Sequence, residues 1–375
     1  MRQVYVAGAG MTRIGRRSEP LPDLMADAAQ VALAEAGLEA PEAIVVATMN
    51  PEEFLGDGNF ASNVATHMGF ADVPCLRIET ATSSGAAAFY TGFAQVAAGL
   101  RRTVLVVGGE KMTHLATPRV SEIIGRSIDP YERAYGATMP ALAGIISRAL
   151  MSRTGTTVRE IAQVAVKNHA NATRNPFAHF QQAVTAEEVL ESRMVADPLR
   201  LLHCCPISDG AAAVVLSAHP ARVRVAGVGH GTDTLAVRHR RELTSFAATR
   251  SAAREAYAMA GFGPERVDVA EVHDAFAPFE LISLEDLGLL PVGKAGRATL
   301  DGDTGLEGRL PINPSGGLKA RGHPLAATGI AQLVECVWQL GGRALGRQVK
   351  DPRRALAHSI GGLATNNWVT LLEAM

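Results

Sequence analysis

The sequence predicts an α/β fold made of two similar halves, and three observations lead to this prediction. Short buried runs rich in β-branched residues alternate with stretches of helical periodicity along most of the chain. The segment DAAQVALAEAGL at 27–38 is echoed by SAAREAYAMAGF at 251–262, and TGFAQV at 91–96 is echoed by TGIAQL at 328–333. The echoes occur in the same order in both halves. Two fused copies of one unit, with helices packed on parallel or mixed sheets, are the simplest explanation.

The first half begins with a predicted strand at Val4–Ala7, and a helix follows. Asp23 is placed to cap this helix, whose predicted apolar face includes Leu24, Ala28 and Val31, and Gly37 ends it after Ala36. The remaining predicted elements of this half are a strand at Ile44–Ala47, a helix at Ser62–Met68, a strand at Cys75–Ile78, a turn at Thr82–Gly85, a helix at Ala86–Ala98 and a strand at Thr103–Val107.

Residues 113–205 depart from this alternation. They are rich in Arg, Asn and His and are predicted to be helical or irregular, which is typical of an excursion laid over a site. Alternation resumes with predicted strands at 211–216 and 223–228. We therefore divide the chain into an N-terminal half (1–112 and 206–221), an excursion (113–205) and a C-terminal half (222–375). We expect the active site where the halves meet.

The composition argues against several classes of function. Of the 375 residues, 47% are hydrophobic and 19% are charged, the net charge is −1 and no Lys/Arg-rich run stands out, so nucleic acid is not expected as a partner. No apolar run is long enough to span a membrane, and residues 1–15 lack the apolar core of a signal peptide. The spacing of the cysteines suggests neither a zinc site nor a disulfide framework, which predicts a cytoplasmic protein without a bound metal: Cys75, Cys204, Cys205 and Cys336.

The stretch 313–339 carries the most specific chemical signal. Its glycine-rich loop lets backbone approach a ligand closely, and His323 follows between a glycine and Pro324, which suits the first turn of a helix. Apolar residues at three- and four-residue spacing from Ala326 to Leu340 predict a buried helix face. A titratable side chain held at the mouth of a buried helix suits catalysis, although an isolated Gly-His-Pro more often has only a structural role.

The string NPSGGLKARGHPLAATG closely resembles the signature of the thiolase superfamily, particularly its sterol-carrier-protein-2-like and archaeal branch. The resemblance implies duplicated α/β halves that form a five-layered α-β-α-β-α core. It also implies activity on coenzyme A thioesters without a tightly bound cofactor. Under this resemblance His323 would activate the nucleophile, and Asn313, Ser315 and Gly316 would belong to the oxyanion or substrate-binding loop.

Two further stretches support the resemblance. EVHDAFAPFELISLEDLGL at 271–289 resembles the family's His-Asp-Ala-Phe element, in which His273 would help to hold the thioester oxygen; structurally, Asp274 would cap the following helix. HSIGGLATNNW at 358–368 is a strand that breaks into a Gly-Gly turn. In related thiolases a cysteine, the second acid/base, stands at the position of Ser359, and the amide matching Gly361 donates to the oxyanion.

The nucleophile turn is where the chain departs from the family pattern. ETATSSGAAAF at 79–89 aligns with this turn, but the cysteine position is occupied by Thr82, followed by Ser83 and Ser84. A threonine hydroxyl is a far weaker acid than a thiol, whose pKa is about 8.5. An oxygen ester also returns its acyl group to sulfur less readily than a thioester does. Ordinary reversible thiolysis is therefore not expected. Cys204 and Cys205 are the cysteines expected near the site.

Three functions remain open. The first is acyl transfer between coenzyme A thioesters, with Thr82 or Ser83 as a slow nucleophile or with no covalent intermediate. The second is a carbon–carbon lyase such as a retro-aldolase on a β-hydroxyacyl-CoA. It needs only a base and an oxyanion site, which His323, His273 and the turn amides would supply. The third is a non-catalytic scaffold that binds coenzyme A.

The resemblance also implies partners besides the acyl-CoA substrate. Thiolases pair through the strand beside the nucleophile turn, so a homodimer or a tetramer is expected, with Thr103–Val107 as the candidate strand. Thiolase-like aldolases commonly work with a small partner that carries a zinc ribbon and an oligonucleotide-binding-type barrel. Such a partner is expected if the chain is a lyase.

Overall fold

The structure is a computed structural model that describes residues 2–375. Its strands are β1 (Tyr5–Met11), β2 (Ile44–Ala47), β3 (Cys75–Ile78), β4 (Thr103–Glu110), β5 (Met194–Ala196), β6 (Leu199–Arg200), β7 (Gly210–Ser217), β8 (Val223–Thr232), β9 (Val269–Glu271), β10 (Arg354–Gly361) and β11 (Asn366–Ala374). Its α-helices are α1 (Leu21–Ala36), α2 (Pro51–Phe54), α3 (Phe60–His67), α4 (Ser84–Ala97), α5 (Thr117–Gly125), α6 (Pro130–Ala134), α7 (Met139–Thr154), α8 (Val158–Ala172), α9 (Ala186–Glu191), α10 (Ala247–Ala260), α11 (Ala277–Asp286), α12 (Ala295–Leu300), α13 (Gly317–Ala320) and α14 (Ala327–Leu340).

The strand pairing repeats between the halves. In the N-terminal half the order is β3-β2-β4-β7-β1, where β2 is parallel to β3 and β4, and β7 is antiparallel to β4 and β1. In the C-terminal half the order is β9-β10-β11-β8, and these strands have the same relative directions as β2, β4, β7 and β1. Ile312 forms a parallel bridge to β9, at the position that β3 occupies beside β2 in the first half. A short pairing of β1 with β8 joins the two sets into one large sheet of nine strands, and each set is called the sheet of its own half below. The duplication predicted from the sequence is present in the topology.

Three hydrophobic clusters define five layers. One cluster packs α1 and α3 on the outer face of the N-terminal sheet. A second places α4 and α14 between the two sheets, and a third packs α10 and α11 on the outer face of the C-terminal sheet. The echoed segments occupy equivalent places, because 27–38 and 251–262 lie on outer helices while 91–96 and 328–333 lie on central helices. The predicted fold class is confirmed.

Several local predictions are wrong in detail. Helix α1 begins at Leu21 after Pro20, and Asp23 lies in its first turn without making a capping hydrogen bond. The buried arc of this helix runs from Leu24 round to Leu33, so Val31 falls outside its edge and is 52% exposed. Every residue of α14 is buried, not one face only, because the helix lies between two sheets. Pro324 precedes this helix and does not lie in its first turn.

The strand predicted to pair in a dimer is also wrong. Strand β4 contains Thr103–Val107, is buried along its whole length and pairs with β2 on one side and β7 on the other. Its backbone groups are therefore unavailable to a second copy. Within the part of the chain that the structure describes, β3 pairs with β2 alone and forms an edge of the sheet, where Leu76 is 41% exposed.

Residues 113–205 contribute α5 to α9 and the short antiparallel pair β5–β6, all outside the large sheet. None of the helices among residues 2–375 has both the length and the apolarity needed to cross a bilayer.

Candidate active site

A cavity of about 290 Å³ lies where the two halves meet the excursion. The N-terminal half contributes Thr82 from the turn before α4, and the C-terminal half contributes His273 after β9 and His323 before α14. The excursion closes one side with residues 138–140 at the start of α7. Three predicted site residues that lie far apart in the sequence thus share one cavity.

His273 is oriented by the backbone of β10. The amide of Ile360 donates to its Nδ1 at 3.2 Å, so in the neutral ring the proton is on Nε2. Burial lowers the pKa of His273 well below its usual value, and the positive charges that His323, His358 and Arg321 would carry lower it further. His273 is therefore a neutral ring at physiological pH whose Nε2–H can donate into the cavity.

His323 lies against His273 with its ring nearly perpendicular, at 88° and a centroid separation of 5.1 Å. Its Nδ1 shares a hydrogen bond of 2.7 Å with the hydroxyl of Thr328 in the first turn of α14. Burial, together with the charge of Arg321, lowers the pKa of His323 to about 3, so this ring is also neutral. Among residues 2–375, no group hydrogen-bonds to its Nε2, which leaves that atom for a ligand.

The hydroxyl of Thr82 is engaged in a structural hydrogen bond. It donates to the carbonyl of Ile360 at 2.7 Å. Ser83 is fully buried outside the cavity lining and donates to the carbonyl of Thr80 at 2.8 Å, and Ser84 donates to the carbonyl of Ala81 at 2.6 Å. The three hydroxyls of the nucleophile turn therefore hold the turn together, and none is presented to a substrate with its proton free.

The turn is strained and tightly packed. Ala81 has a φ of 54°, a left-handed conformation that costs energy for a residue with a Cβ. A Cβ at Gly361 would lie 2.4 Å from both the Ser83 hydroxyl and the Thr80 carbonyl, so only glycine lets β10 approach the turn this closely. Gly361 thus packs against the turn, and its neighbours Ile360 and Gly362 line the cavity.

Ser359 does not join the other predicted residues at the cavity. It is buried, its hydroxyl has no hydrogen-bond partner in the described part of the chain, and it faces Gly329 of α14. Side chains alternate between the two faces of a strand, so Ser359 points into the central helical layer. The prediction that Ser359 shares the cleft is wrong.

The loop residues predicted to contact substrate are also outside the cavity lining. Asn313 accepts from the amide of Val272 at 2.8 Å and donates to Glu280 at 2.8 Å, and Ser315 donates to Glu271 at 2.7 Å through its hydroxyl. Gly316 has a φ of 99° and packs against α8. These contacts tie the loop before His323 to the strand end before His273, so Asn313, Ser315 and Gly316 position the two histidines.

Asp274 caps a different helix from the one predicted. Its carboxylate accepts from the amides of Leu318 and Lys319 at 2.6 and 3.2 Å, at the start of α13, whereas α11 begins after Phe276 without a side-chain cap. Burial raises the pKa of Asp274 to about 6, with the charge of Glu280 adding to the effect. The residue therefore also anchors the loop that carries His323.

Most of the apolar cavity lining was not predicted from the sequence. It comes from separate elements whose meeting depends on the path of the excursion: Met112, Ile124, Met139, Ile207, Phe276, Phe279 and Leu325. Buried Asp209 was missed as well. It accepts from the amides of Met112 and Thr113 at 2.6 and 2.8 Å and so fixes the start of the excursion beside the cavity. The only local signal for Asp209 is its place before a glycine in the string CPISDG at 205–210.

Cys204 and Cys205 line the cavity, as expected from the sequence. Burial raises the pKa of Cys204 to about 11 and that of Cys205 to about 12, so both thiols are protonated and poorly nucleophilic at neutral pH. Within residues 2–375, no cluster of three or more His, Cys, Asp or Glu side chains is arranged to hold a metal ion.

Comparison with known proteins identifies the family. The family model described as the thiolase N-terminal domain matches residues 4–219, and the model described as thiolase C-terminal domain-like matches residues 229–374. The chain belongs to the thiolase family. An acetyl-CoA acetyltransferase of Methanothermobacter thermautotrophicus is 42% identical, covering 96% of this chain and 97% of that protein. The chain is thus an enzyme of the acyltransferase family.

Two further relatives in the comparison have names other than acetyl-CoA acetyltransferase. Sterol carrier protein 2 of Gallus gallus is 36% identical over 96% of this chain, which spans 70% of that protein. The benzoylsuccinyl-CoA thiolase subunit BbsB of Thauera aromatica is 33% identical, covering 96% of this chain and 95% of that subunit.

Solved structures confirm the thiolase fold. The Ltp2–ChsH2(DUF35) aldolase superposes with a TM-score of 0.84 at 24% identity, covering 99% of this chain and 98% of that one. A monomeric SCP2-thiolase-like protein from Mycobacterium smegmatis superposes with a TM-score of 0.75 at 19% identity, covering 99% of this chain and 77% of that one.

Proposed function

We propose that this thiolase makes or breaks a carbon–carbon bond next to the thioester of an acyl-CoA, through an enolate and without an acyl-enzyme. The observation that supports the proposal is the double use of Ile360. Its carbonyl accepts the hydrogen bond that the Thr82 hydroxyl donates, and its amide sets His273 with Nε2–H toward the cavity. The nucleophile position is thereby blocked, while the oxyanion donor remains.

In the cleavage direction the substrate is a β-hydroxyacyl-CoA. A base takes the proton of the β-hydroxyl, the bond between Cα and Cβ breaks, and an aldehyde or ketone leaves. The electron pair moves onto the thioester as an enolate, whose oxygen accepts from Nε2–H of His273. Protonation at Cα then gives the shortened acyl-CoA. Each step needs a proton donor or acceptor and an oxyanion site, and none needs a nucleophile.

His323 is the candidate base. With Nδ1–H donating to Thr328, its Nε2 presents a lone pair to the cavity. The burial that holds its pKa near 3 opposes protonation in the empty site. During the reaction the enolate places a negative charge beside the ring, which favours the imidazolium and offsets the burial. Proton uptake is thus coupled to bond cleavage.

Acyl transfer between two acyl-CoA molecules is the second candidate. It is favoured by the name of the relatives that are 42% and 38% identical, both acetyl-CoA acetyltransferases. The same enolate would attack a second thioester directly, and the thiolate of coenzyme A would leave. The two candidates differ in the electrophile, not in the residues that form the enolate.

The partners belong to the same proposal. We place a homodimer contact at the β3 edge and not at β4, because β3 has free backbone groups on one side within the described residues. One structure with this fold is an aldolase named together with a DUF35 protein. A small zinc-ribbon and barrel partner is therefore proposed for the lyase activity.

The deciding experiment incubates the protein with a panel of β-hydroxyacyl-CoA and acyl-CoA thioesters and identifies the products by mass spectrometry. An aldehyde or ketone with a shortened acyl-CoA is the expected result. Free coenzyme A with a lengthened acyl-CoA would favour acyl transfer instead. Binding without turnover, with and without a candidate DUF35 partner, would overturn both in favour of the scaffold.

A matched variant tests whether the nucleophile alone has been lost. In Thr82→Cys a thiol replaces the hydroxyl in the turn before α4, and a nearby helix N-terminus lowers a thiol pKa. We expect intact-protein mass spectrometry to show a thioester adduct after incubation with acyl-CoA, whereas wild type stays unmodified. An acylated wild-type protein would contradict the proposal that no acyl-enzyme forms.

A further inference from the structure

The backbone of His323 is held by residues that lie outside the C-terminal half. The amide of His323 donates to the hydroxyl of Ser208 at 3.2 Å, and Ile207 forms a parallel backbone bridge to His323. Ile207 and Ser208 lie between the excursion and β7, in the N-terminal half. The loop that carries the candidate base is therefore anchored outside the half to which it belongs.

Gly322 shows how closely this loop packs against its surroundings. Its φ of 108° is in the left-handed region that favours glycine, and a Cβ there would lie 2.5 Å from Ile14 and 2.8 Å from the Ser208 hydroxyl. The same Cβ would lie 3.2 Å from the side chain of His179 in the excursion. The glycine before His323 is thus required by its neighbours, because only a residue without a side chain can approach them this closely.

Ser208 is in turn oriented by His179. Nδ1 of His179 lies 2.9 Å from the Ser208 hydroxyl oxygen, whereas the carbonyl of Pro206, a second acceptor for this hydroxyl, is 3.4 Å away. Burial lowers the pKa of His179, so the ring is neutral at physiological pH. Nδ1 of a neutral ring can accept the Ser208 proton, which leaves the lone pairs of the hydroxyl oxygen for the amide of His323.

The excursion also contacts this loop through its backbone. The amide of His179 donates to the carbonyl of Arg321 at 2.9 Å, and the amide of Phe180 donates to the carbonyl of Ala320 at 3.0 Å. Ser208 is fully buried, so water cannot replace a partner that the His323 amide loses. The hydrogen bond from His323 to Ser208 therefore contributes more to the geometry of the loop than an exposed one would.

We propose that Ser208 and His179 are positioning residues for His323. The hydrogen bonds run from the imidazole of His179 to the hydroxyl of Ser208 and on to the amide of His323, so the three parts of the chain meet at one point. Thr328 fixes the ring of His323 through Nδ1, and the pair fixes the main chain that carries this ring. The proposal rests on the proposed function in one respect, namely that His323 is the base.

His169 offers a matched control for His179. Both rings pack against Phe180, with centroid separations of 5.5 Å for His169 and 4.6 Å for His179. Nδ1 of each ring makes one hydrogen bond of 2.9 Å, but that of His169 is to the carbonyl of Gln182. Replacing either histidine by Phe thus removes one hydrogen bond and keeps a ring against Phe180, and only one of the two changes affects the contact to Ser208.

The first measurement is amide hydrogen exchange, followed by mass spectrometry on overlapping peptides of the folded protein without substrate. Pro324 has no amide, so the signal of His323 has no neighbour on its C-terminal side. We expect exchange at His323 to be roughly tenfold faster in Ser208→Ala, the value of one hydrogen bond, and about threefold faster in His179→Phe. The second variant suffices if Ser208→Ala does not fold. Unchanged exchange in either folded variant would overturn the proposal.

The second measurement is steady-state kinetics with the thioester that the product analysis identifies. Ser208 and His179 lie outside the cavity lining, so KM should change little. In His179→Phe we expect kcat to fall by about three- to tenfold, whereas His169→Phe should leave it unchanged. His179→Asn places an oxygen near the position of Nδ1 and should recover most of the loss. Equal losses in His179→Phe and His169→Phe, or no recovery by asparagine, would contradict a positioning role.

The two measurements separate this proposal from the proposed reaction. Faster exchange at His323 without turnover of any thioester in the panel would support the contacts to Ser208 and overturn the reaction. Turnover with a kcat that neither Ser208→Ala nor His179→Phe changes would overturn the positioning role and support the reaction.

Discussion

Helices α4 and α14 occupy equivalent places in the two halves, yet the turns that lead into them have opposite roles. Before α4, the hydroxyl of Thr82 is bound to the backbone of β10. Before α14, His323 is held from one side by Thr328 and keeps Nε2 free for a ligand. The hydroxyl in the turn before α4 is therefore occupied by a hydrogen bond, whereas a ring nitrogen in the turn before α14 is free for a ligand.

The difference teaches that a turn can support a site without presenting a nucleophile. Ala81 has a left-handed conformation, and Gly361 packs against Ser83, in a turn whose three hydroxyls are all hydrogen-bonded. Strain of this kind persists only where surrounding contacts enforce it. Here the contacts come from β10, which also orients His273. The turn before α4 therefore supports the site in the other half.

The largest expected effect is on catalysis, and it compares the two residues of these turns, His323 and Thr82. His323→Ala should lower kcat/KM by a factor of roughly a hundred or more, since it removes the base. Thr82→Val should change kcat/KM only a few-fold, because the lost hydroxyl serves the turn, and stability should fall by about 1 kcal/mol for one hydrogen bond. Steady-state kinetics measure both effects, with the thioester that the product analysis by mass spectrometry identifies as the substrate. Equal losses in the two variants would mean that Thr82 and His323 act as one catalytic unit.

The next effect concerns the strands beside the two helices. Strand β4 is apolar from Val104 to Val107, whereas β10 buries His358, whose pKa burial lowers to about 3. An unfolded chain protonates this imidazole near pH 6.5. Between these values the unfolded state binds more protons, so the folded protein loses stability as the pH falls.

The His358→Gln variant lacks this pH dependence. The difference in free energy of unfolding between wild type and variant, called the gap here, should therefore shrink by roughly 2–3 kcal/mol from pH 7 to pH 4.5. Urea unfolding of both proteins at the two pH values measures the gap. The other titrating groups are common to both proteins and cancel. A gap that stays constant would show that His358 is not held neutral.

The smallest expected effect tests whether Thr328, in the first turn of α14, positions His323. Thr328→Val keeps the shape of the side chain and removes the hydrogen bond to Nδ1 of His323. We expect kcat to fall by roughly tenfold or less, the value of one hydrogen bond, with little change in KM. Thr328→Ser should restore the rate because it restores the hydroxyl. A rise in KM alone, or no rescue by serine, would contradict a positioning role.

The sequence was sufficient for the fold and for the elements that carry the histidines. Alternating periodicities predicted the α/β class, and the echoed helices predicted the duplication, because both depend on local spacing of apolar residues. Long motif strings around His273 and His323 identified the two residues that share the cavity. The sequence also has a threonine at 82 where the family resemblance predicts a cysteine, and this departure stays a prediction.

Tertiary structure decided which side chains are available to a ligand. Ser359, Asn313 and Ser315 stand in motif strings but point into buried layers, since the face of a strand and the partners of a loop depend on contacts far away in the sequence. The same holds for the proposed dimer edge, because the number of neighbours of a strand is set by the order of the sheet: β3 has one neighbour and β4 has two among the described strands. The local spacing of apolar residues determines whether a segment forms a helix or a strand, and long-range packing determines which of its side chains reach the cavity.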